Sequence, residues 1–284
     1  MMNTSPRISN PTRLRNGGGS VNPQGRDATS ALRLYRFRYG DHVQRYHFAT
    51  RGGVSLRTFD SGCGPGLGAL VMRGTFDKYV GTDVDEEAIS WARENVEPIL
   101  KGCRFFFPDE IDWGQESGQY NLVLSHEVIE HIDSKVEEYL GSLRSLVSLR
   151  GKVFISTPNG RLSRGNPDLF QSRSHVREYS PSEFGLLLER IGFQPTLFAQ
   201  GRRDLVDSLP WVILRRAGKS RESVGRTSEK STGHSSYRAN RVLRAAWNSL
   251  PSTEVFWRIV PLVSDSAFSD LASHMIARCQ TRVS

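Results

Sequence analysis

A glycine-rich turn constrains this chain more than any other feature of its sequence. Residues 54–60 have the short apolar pattern of a buried strand, and they run directly into SGCGPGLG at 61–68. Glycines at such a turn let the backbone reverse tightly and approach a ligand closely. A strand that ends in this kind of turn and is followed by a helix is typical of a ligand site at the edge of a parallel α/β sheet.

Predicted strands and helices alternate through the centre of the chain. We predict strands at 54–60, 78–83, 103–107, 120–125, 152–156, 194–199 and 211–215, with helices at 42–50, 69–73, 136–149 and 180–191 and one that opens at Asp85. This alternation predicts an α/β fold: a doubly wound, mostly parallel, seven-stranded Rossmann-like sheet with helices on both faces. The last two strands lack a crossover helix, so we expect an antiparallel edge strand.

The composition divides the chain into four parts. Residues 1–27 are rich in Asn, Ser, Pro, Gly and Arg, which predicts a disordered tail. Residues 28–217 form the predicted domain, which includes an N-terminal helix. A polar linker is expected at 218–240, and a basic amphipathic helical tail at 241–284.

The net charge of +8 is spread unevenly, because the two flanks are basic and residues 51–200 are acidic. Charge therefore does not by itself indicate a nucleic-acid-binding protein. Basic flanks bind nucleic acid, contact an anionic membrane, or keep the chain soluble. For the tail at 241–284 we weigh peripheral membrane contact against packing on the domain or on a second copy. The oligomeric state stays open.

Three cysteines, Cys63, Cys103 and Cys279, lack the CxxC spacing of metal and redox sites. Their sparse, odd number argues against a disulfide framework. No run approaches the ~18 apolar residues of a membrane span, and the N-terminus lacks the apolar region of a secretory signal. We therefore expect a cytoplasmic protein.

Acidic side chains end or follow three of the predicted strands. Asp60 precedes the first glycine of the turn, where its carboxylate would repel a pyrophosphate but suits a cationic ligand. S-adenosylmethionine carries an ammonium and a sulfonium and has no phosphate. Asp83 ends the second strand, at the spacing of about 20 residues where an acid binds ribose hydroxyls. Asp109 follows the third strand and could accept from an adenine amino group.

The motifs together resemble those of class I S-adenosylmethionine-dependent methyltransferases. FDSGCGPGLGAL resembles their glycine-rich motif, YVGTDVDEEAISWA their acidic-loop motif and YNLVLSHEVIEHI their fourth-strand motif, and the resemblance covers residues 42–218. It implies that Asp83 binds the ribose and Asp109 the adenine of S-adenosylmethionine. It also implies that the turn and the acid before it surround the methionine end of S-adenosylmethionine. These residues are Asp60, Gly62, Gly64 and Gly66.

Within that superfamily, the segments HVQRYHFA and ISTPNGRLSRGNPDLFQSRSHVREYSPSEFGLLLERIGF resemble bacterial methyltransferases of glycan and small-molecule biosynthesis. The resemblance implies methyl transfer to a sugar, a glycan or a related small-molecule acceptor, with oxygen as the expected atom. A non-catalytic binding module that keeps the fold is an alternative. The intact turn and its two acids argue against that alternative.

Candidate catalytic residues follow the fourth and fifth predicted strands, because carboxyl ends of parallel strands face the ligand cleft. Methyl transfer requires the two reactants to be positioned, and transfer to oxygen benefits from a base. We assign catalysis to His126, Glu127, His131 and His175, with His126 as the hypothetical general base.

A metal-dependent alternative uses some of the same residues. Glu127, Glu130 and His131 are spaced to share one face of a helical turn. With His175 they resemble the metal site of the RNA 3′-terminal ribose 2′-O-methyltransferases, where a divalent cation binds the ribose hydroxyls. The same residues can contact substrate or pack without a metal. We expect no metal, and we do not exclude RNA as the acceptor.

Overall fold

The computed structural model describes residues 25–54, 56–160, 174–202, 257–262 and 272–281. The strands are β1 Leu56–Ser61, β2 Phe76–Thr82, β3 Cys103–Phe106, β4 Tyr120–His126, β5 Val147–Pro158, β6 Phe193–Arg202, β7 Trp257–Pro261 and β8 His274–Thr281. The helices are α1 Ala28–Arg38, α2 Gly40–Ala49, α3 Leu67–Val71, α4 Glu86–Asn95, α5 Val136–Leu146 and α6 Pro181–Arg190. Short 3₁₀ turns cover Glu97–Ile99, Pro108–Glu110 and Ile129–His131.

The strands form one sheet in the order β3-β2-β1-β4-β5-β8-β6-β7. β1 to β5 are parallel to one another, whereas β8 is antiparallel to both β5 and β6, and β7 is antiparallel to β6. The predicted fold class, a doubly wound and mostly parallel sheet with an antiparallel edge strand, is confirmed. In the described residues the sheet has eight strands. Six of them match predicted strands, β7 and β8 were not predicted, and the predicted strand at 211–215 lies outside the described residues.

Apolar side chains cover both faces of the sheet. Along β4, Leu122 and Leu124 pack into the cluster that includes α1 to α4, while Val123 packs into the cluster that includes α5 and α6. Successive strand residues point to opposite faces, so one apolar run serves two layers of helices. Helices therefore pack on both faces of the sheet, and each face is a buried interface.

Two helix starts match their predicted caps. Asp85 accepts hydrogen bonds from the backbone N–H groups of Glu87 and Ala88 at the start of α4. At α6, Ser180 and Glu183 form a reciprocal capping box, with Pro181 at the first helical position. These contacts satisfy backbone donors that have no partner inside the helix. At the N-terminal end of the domain the structure contains α1 and α2, where we predicted one helix.

The predicted helical tail at 241–284 is wrong for its two described ranges, which are the strands β7 and β8. β8 lies inside the sheet, and its Met275, Ile276, Ala277 and Cys279 are buried. A short apolar run has no periodicity that separates a buried strand from a buried helix, which explains the error. The domain therefore does not end at residue 217.

Three other predictions fall wholly or mostly outside the described residues. They are the strand at 211–215, the linker at 218–240 and all but the last three residues of the tail at 1–27. No helix in the described part of the chain is long and apolar enough to cross a membrane.

Replacement of Ile276 by alanine tests the interior position of β8. The Ile276 side chain is fully buried between β5 and β6, so Ile276→Ala should lower the free energy of unfolding by about 2–5 kcal/mol. Gln280 on the same strand is exposed, so Gln280→Ala should change it by less than about 0.5 kcal/mol. Urea unfolding of both variants measures the difference, and equal losses would contradict the interior position.

Candidate active site

The glycine-rich turn follows β1, and its three predicted glycines have left-handed backbone conformations. Their φ angles are 77° at Gly62, 52° at Gly64 and 73° at Gly66. A Cβ atom on Gly62 would lie 2.3 Å from Val128 Cγ2, and one on Gly66 would lie 2.4 Å from Phe105 Cζ. Side chains are therefore excluded by backbone strain and by close packing. At Gly64 only the backbone conformation requires glycine, because the space around it is open.

Asp83 follows β2 and is fixed against this turn. Its Oδ2 atom accepts a hydrogen bond of 2.7 Å from the Gly64 backbone N–H, and its Oδ1 atom accepts one of 3.0 Å from the Asp85 backbone N–H. Burial raises the pKa of Asp83, although these backbone donors lower it. The structure thus places the acid predicted to bind ribose beside the second glycine of the turn.

Asp60, on β1 just before the turn, is not in the described lining of the cavity that the turn borders. Its carboxyl group is fully buried, and its Oδ2 atom accepts hydrogen bonds from the hydroxyls of Tyr46 at 2.9 Å and Tyr79 at 2.5 Å. Burial raises the pKa of Asp60 to about 7, against the opposing effect of the two tyrosines. Tyr46 itself lines the cavity, and Asp60 Oδ1 has no hydrogen-bond partner among the described residues. The contact of Asp60 with a cationic ligand stays a prediction.

A cavity of about 410 Å³ lies between the turn, the segment after β4 and the two N-terminal helices. The predicted site residues that line this cavity are Gly62, Gly64, Asp83, His126, Glu127, His131 and His175. All four predicted catalytic residues therefore share one cavity with part of the predicted cofactor site. Gly66 and the exposed Asp109 are not in its described lining, and the adenine contact of Asp109 stays a prediction.

His126, at the end of β4, is buried against Tyr46. The two rings lie edge to face with centroids 5.2 Å apart, and neither ring nitrogen of His126 has a hydrogen-bond partner among the described residues. Burial lowers the pKa of His126 to about 3, and the nearby Arg45 adds to this shift. The imidazole is therefore neutral at pH 7 and a weak base, and both its nitrogens are buried although the residue lines the cavity.

Glu127 has a positive φ of 58°, unlike any other described non-glycine residue. Its carboxylate lies 3.0 Å from Arg45 Nη1 and 3.3 Å from His274 Nε2, and it accepts a 2.8 Å hydrogen bond from Ser156 Oγ. Burial alone would raise the pKa of Glu127, but the charges of Arg45 and His274 outweigh it and hold the pKa well below its usual range. Glu127 is therefore ionised.

Arg45 of α2 is a site residue that sequence analysis missed. Its side chain is fully buried and, besides Glu127, contacts Asp41 Oδ2 at 2.9 Å, Gln200 Oε1 at 2.6 Å and Ser156 Oγ at 3.3 Å. The only local signal for the role of Arg45 was its spacing from Asp41, which places both residues on one helix face. The other partners are distant in sequence, so the sequence could not identify this arginine.

Three of the predicted metal-ligand candidates come together, and the fourth does not. One ligand atom from each of Glu130, His131 and His175 lies within 4.8 Å of the others. Glu127 is not in this group, although the sequence spacing predicted a shared helical face. The helical turn is a 3₁₀ turn that begins at Ile129, and the positive φ of Glu127 directs its side chain to Arg45 instead.

The two histidines of this group are each oriented through one ring nitrogen. His131 Nδ1 lies 3.0 Å from the Ser174 carbonyl oxygen, and His175 Nδ1 lies 2.6 Å from Glu178 Oε1. Such contacts fix the ring and leave Nε2 available, which is the usual arrangement around a metal-binding histidine. Either a metal ion or a polar substrate can use this pair of imidazoles.

Glu130 supplies a buried carboxyl group to the same corner of the cavity. Its Oε2 atom accepts a 3.1 Å hydrogen bond from Thr157 Oγ1, whereas Oε1 has no partner among the described residues. Burial raises the pKa of Glu130 well above its usual range, and the charge of Glu127 adds to the shift. Glu130 lines the cavity and keeps its proton to a higher pH than an ordinary glutamate, and in its protonated form it can donate a hydrogen bond.

A family model described as a methyltransferase domain matches residues 32–197, more than half of the chain. The chain belongs to this methyltransferase family. The match confirms the resemblance to class I S-adenosylmethionine-dependent methyltransferases drawn from the motifs, and with it the prediction of an enzyme that uses S-adenosylmethionine as methyl donor. The matched range extends from α1 to β6 and therefore includes the turn, Asp83 and the segment after β4.

Solved structures share the fold at low sequence identity. A SAM-dependent methyltransferase from Archaeoglobus fulgidus is 15% identical with a TM-score of 0.52, and the match covers 88% of this chain and 98% of that one. A possible histamine N-methyltransferase from Thermotoga maritima is 11% identical with a TM-score of 0.55, covering 89% and 95%. At these identities the likeness shows the fold alone.

A curated relative is the ubiquinone biosynthesis O-methyltransferase of Roseobacter denitrificans. It is 34% identical over 104 residues, which are 37% of this chain and 42% of the relative. The chain thus spans less than half the length of this relative.

Removal of the Arg45 side chain should destabilise the fold strongly. Arg45→Met leaves Asp41 and Glu127 as buried charges without their cation, so the free energy of unfolding should fall by about 3–5 kcal/mol. Arg190 forms an exposed pair with Glu137, so Arg190→Met should cost less than about 1 kcal/mol. Denaturant unfolding at neutral pH measures both, and similar small losses would show that the buried network contributes little.

Proposed function

We propose that this methyltransferase transfers the methyl group of S-adenosylmethionine to a hydroxyl oxygen of a small-molecule acceptor, in the class of sugars, glycans and related compounds. One observation carries the proposal: a single cavity is bordered by the glycine-rich turn, Asp83 and all four predicted catalytic residues. Donor and acceptor can therefore be held in contact, which is the main requirement of a displacement reaction. The O-methyltransferase relative supports oxygen as the methylated atom.

The turn and Asp83 form the proposed donor half of the site. The left-handed glycines keep side chains away from the ligand, so the methionine end can approach the backbone at Gly62 and Gly64. Each carboxylate oxygen of Asp83 accepts one backbone N–H and retains a second lone pair. Those lone pairs would accept hydrogen bonds from the two ribose hydroxyls of the cofactor.

The residues after β4 form the proposed acceptor half. The ionised Glu127 would accept a hydrogen bond from the acceptor hydroxyl, because among the described residues its Oε2 atom contacts His274 alone. When a neutral hydroxyl attacks the methyl group, its proton becomes strongly acidic. A neutral imidazole with a low pKa, such as His126, is then a sufficient base for that proton.

Binding of S-adenosylhomocysteine tests the donor half. Micromolar binding by the wild type should weaken about ten-fold or more in Asp83→Ala, which corresponds to roughly 1.4 kcal/mol. Asp77 is an exposed acid near the start of the same strand, so Asp77→Ala should bind like the wild type. Calorimetric titration provides the measurement. A folded wild type that does not bind the ligand would refute the proposed function.

A second candidate function has a specific observation in its favour. The cluster of Glu130, His131 and His175 offers one carboxylate and two imidazoles within 4.8 Å, a donor set that suits Mn²⁺, Fe²⁺ or Zn²⁺. A bound cation would supply Lewis acidity and a template for two neighbouring hydroxyls, such as those of an RNA 3′-terminal ribose. The buried, unpartnered Oε1 atom of Glu130 fits such a ligand.

Chelation distinguishes the two candidates. If a metal is required, EDTA should abolish methyl transfer and Mn²⁺ should restore it. His175→Ala should then weaken Mn²⁺ binding at least ten-fold, as measured by electron paramagnetic resonance in the absence of substrate. His42, which lies elsewhere on the cavity wall, serves as the control in His42→Ala. Full activity in EDTA would exclude the metal-dependent candidate.

A further inference from the structure

The N-terminal helices contribute an aromatic surface to the cavity that the reaction chemistry above leaves largely unexplained. Four rings from α1, α2 and their junction line the cavity: Tyr35, Tyr39, His42 and Tyr46. We call this set the aromatic wall. Its side chains come from a region where the sequence carries no catalytic motif, so catalysis does not account for all of them.

Tyr39 occupies the junction between the two helices and is rigidly placed. Its N–H donates to the Tyr35 carbonyl at 2.7 Å, and its own carbonyl accepts from the Val43 N–H at 3.1 Å. Its ring stacks on that of Tyr35, with centroids 5.7 Å apart and an angle of 25° between the planes. Tyr35 is buried in the core beside α3, so the Tyr39 ring packs on a fixed neighbour.

His42 lies next to Tyr39 in the aromatic wall. Its ring lies edge-on to Tyr39, with centroids 5.6 Å apart and an angle of 88°. Both side chains are partly exposed, whereas Tyr35 is buried. Burial raises the pKa of Tyr39, so its hydroxyl keeps its proton and can donate a hydrogen bond. The exposed part of the wall is therefore made by Tyr39 and His42.

At the other end, Tyr46 connects the wall to the catalytic residues. Its ring contacts His126 edge to face, and its hydroxyl is committed to Asp60. A Cβ atom on Gly68 would lie 2.2 Å from the Tyr46 ring, so this tyrosine also packs closely on α3. A molecule bound along the wall would therefore extend from Tyr39 to the segment after β4.

We propose that the aromatic wall binds a hydroxylated aromatic ring as the acceptor, with Tyr39 and His42 as specificity-determining residues. This inference rests on the proposed transfer of a methyl group to a hydroxyl oxygen, and it names a phenol in place of a sugar or glycan as the acceptor. Offset-stacked and edge-to-face ring pairs contribute about 0.5–1.5 kcal/mol beyond area burial, and a rigid ring loses little entropy on binding. A polyol ring needs a hydrogen-bond partner for each hydroxyl, and on the wall the Tyr46 hydroxyl is committed to Asp60, which leaves the Tyr39 hydroxyl and His42.

The reaction balances without a further reactant. The phenolic oxygen attacks the methyl carbon of S-adenosylmethionine, so an oxygen–carbon bond forms as the carbon–sulfur bond breaks. The electron pair of that bond stays on sulfur and gives S-adenosylhomocysteine. The phenolic proton passes to a protein base and then to solvent, and the other product is an aryl methyl ether.

The test compares acceptors and then variants, with the full chain and saturating S-adenosylmethionine. Formation of S-adenosylhomocysteine is measured with phenol, catechol, resorcinol and hydroquinone, and with methyl glucoside as the non-aromatic ring. At least one aromatic acceptor should exceed methyl glucoside about ten-fold in kcat/KM. With that acceptor, Tyr39→Leu should raise KM about ten-fold and leave kcat and S-adenosylhomocysteine affinity within about two-fold.

Two variants provide matched controls. Tyr39→Phe keeps the ring and should retain most of the affinity for the acceptor. Phe37, on the same helix, is half exposed and is not in the described cavity lining, so Phe37→Leu should behave like the wild type. Equal KM values for Tyr39→Leu and Phe37→Leu would overturn the proposal, as would faster methylation of methyl glucoside.

The outcome separates this inference from the proposed function on which it rests. An enzyme that binds S-adenosylhomocysteine but methylates none of the aromatic acceptors refutes the inference and leaves the proposed function standing. A folded enzyme that does not bind S-adenosylhomocysteine refutes both.

Discussion

The acceptor side of the cavity depends on one buried arginine. Arg45 extends from α2 into the sheet and contacts Glu127 after β4, Ser156 on β5 and Gln200 on β6. A buried cation is stable only when charges and hydrogen bonds satisfy it, so these elements must keep their relative positions. The same helix carries Tyr46, so the ion pair and the aromatic wall are fixed together.

The interior strand β8 makes this network possible. Because β8 pairs with β5 and β6, His274 at its start lies beside Glu127. The end of the described chain thus contributes to the same site as α2, near its beginning. An antiparallel strand between two parallel ones places its first residue at the carboxyl edge of the sheet, where the ligand cavity of this fold class lies.

Two neighbouring buried carboxyl groups have pKa values shifted in opposite directions for local reasons. The charge of Arg45 holds the pKa of Glu127 well below its usual range, while burial and the charge of Glu127 raise the pKa of Glu130, whose Oε2 accepts from Thr157. Such a separated pair provides a hydrogen-bond acceptor and a donor within one cavity. The positive φ of Glu127 creates the difference, because it turns that side chain toward the arginine.

Local sequence determined the strand, the glycine turn, Asp83 and the helix caps, because backbone conformation and capping depend on residues a few positions apart. Tertiary structure alone decided the rest. Whether the run at 274–281 became a helix or a strand depended on the gap between β5 and β6. The burial of Arg45 depended on partners more than 100 positions away. The hydrogen bonds to the Asp60 carboxyl group also come from two tyrosines on other elements.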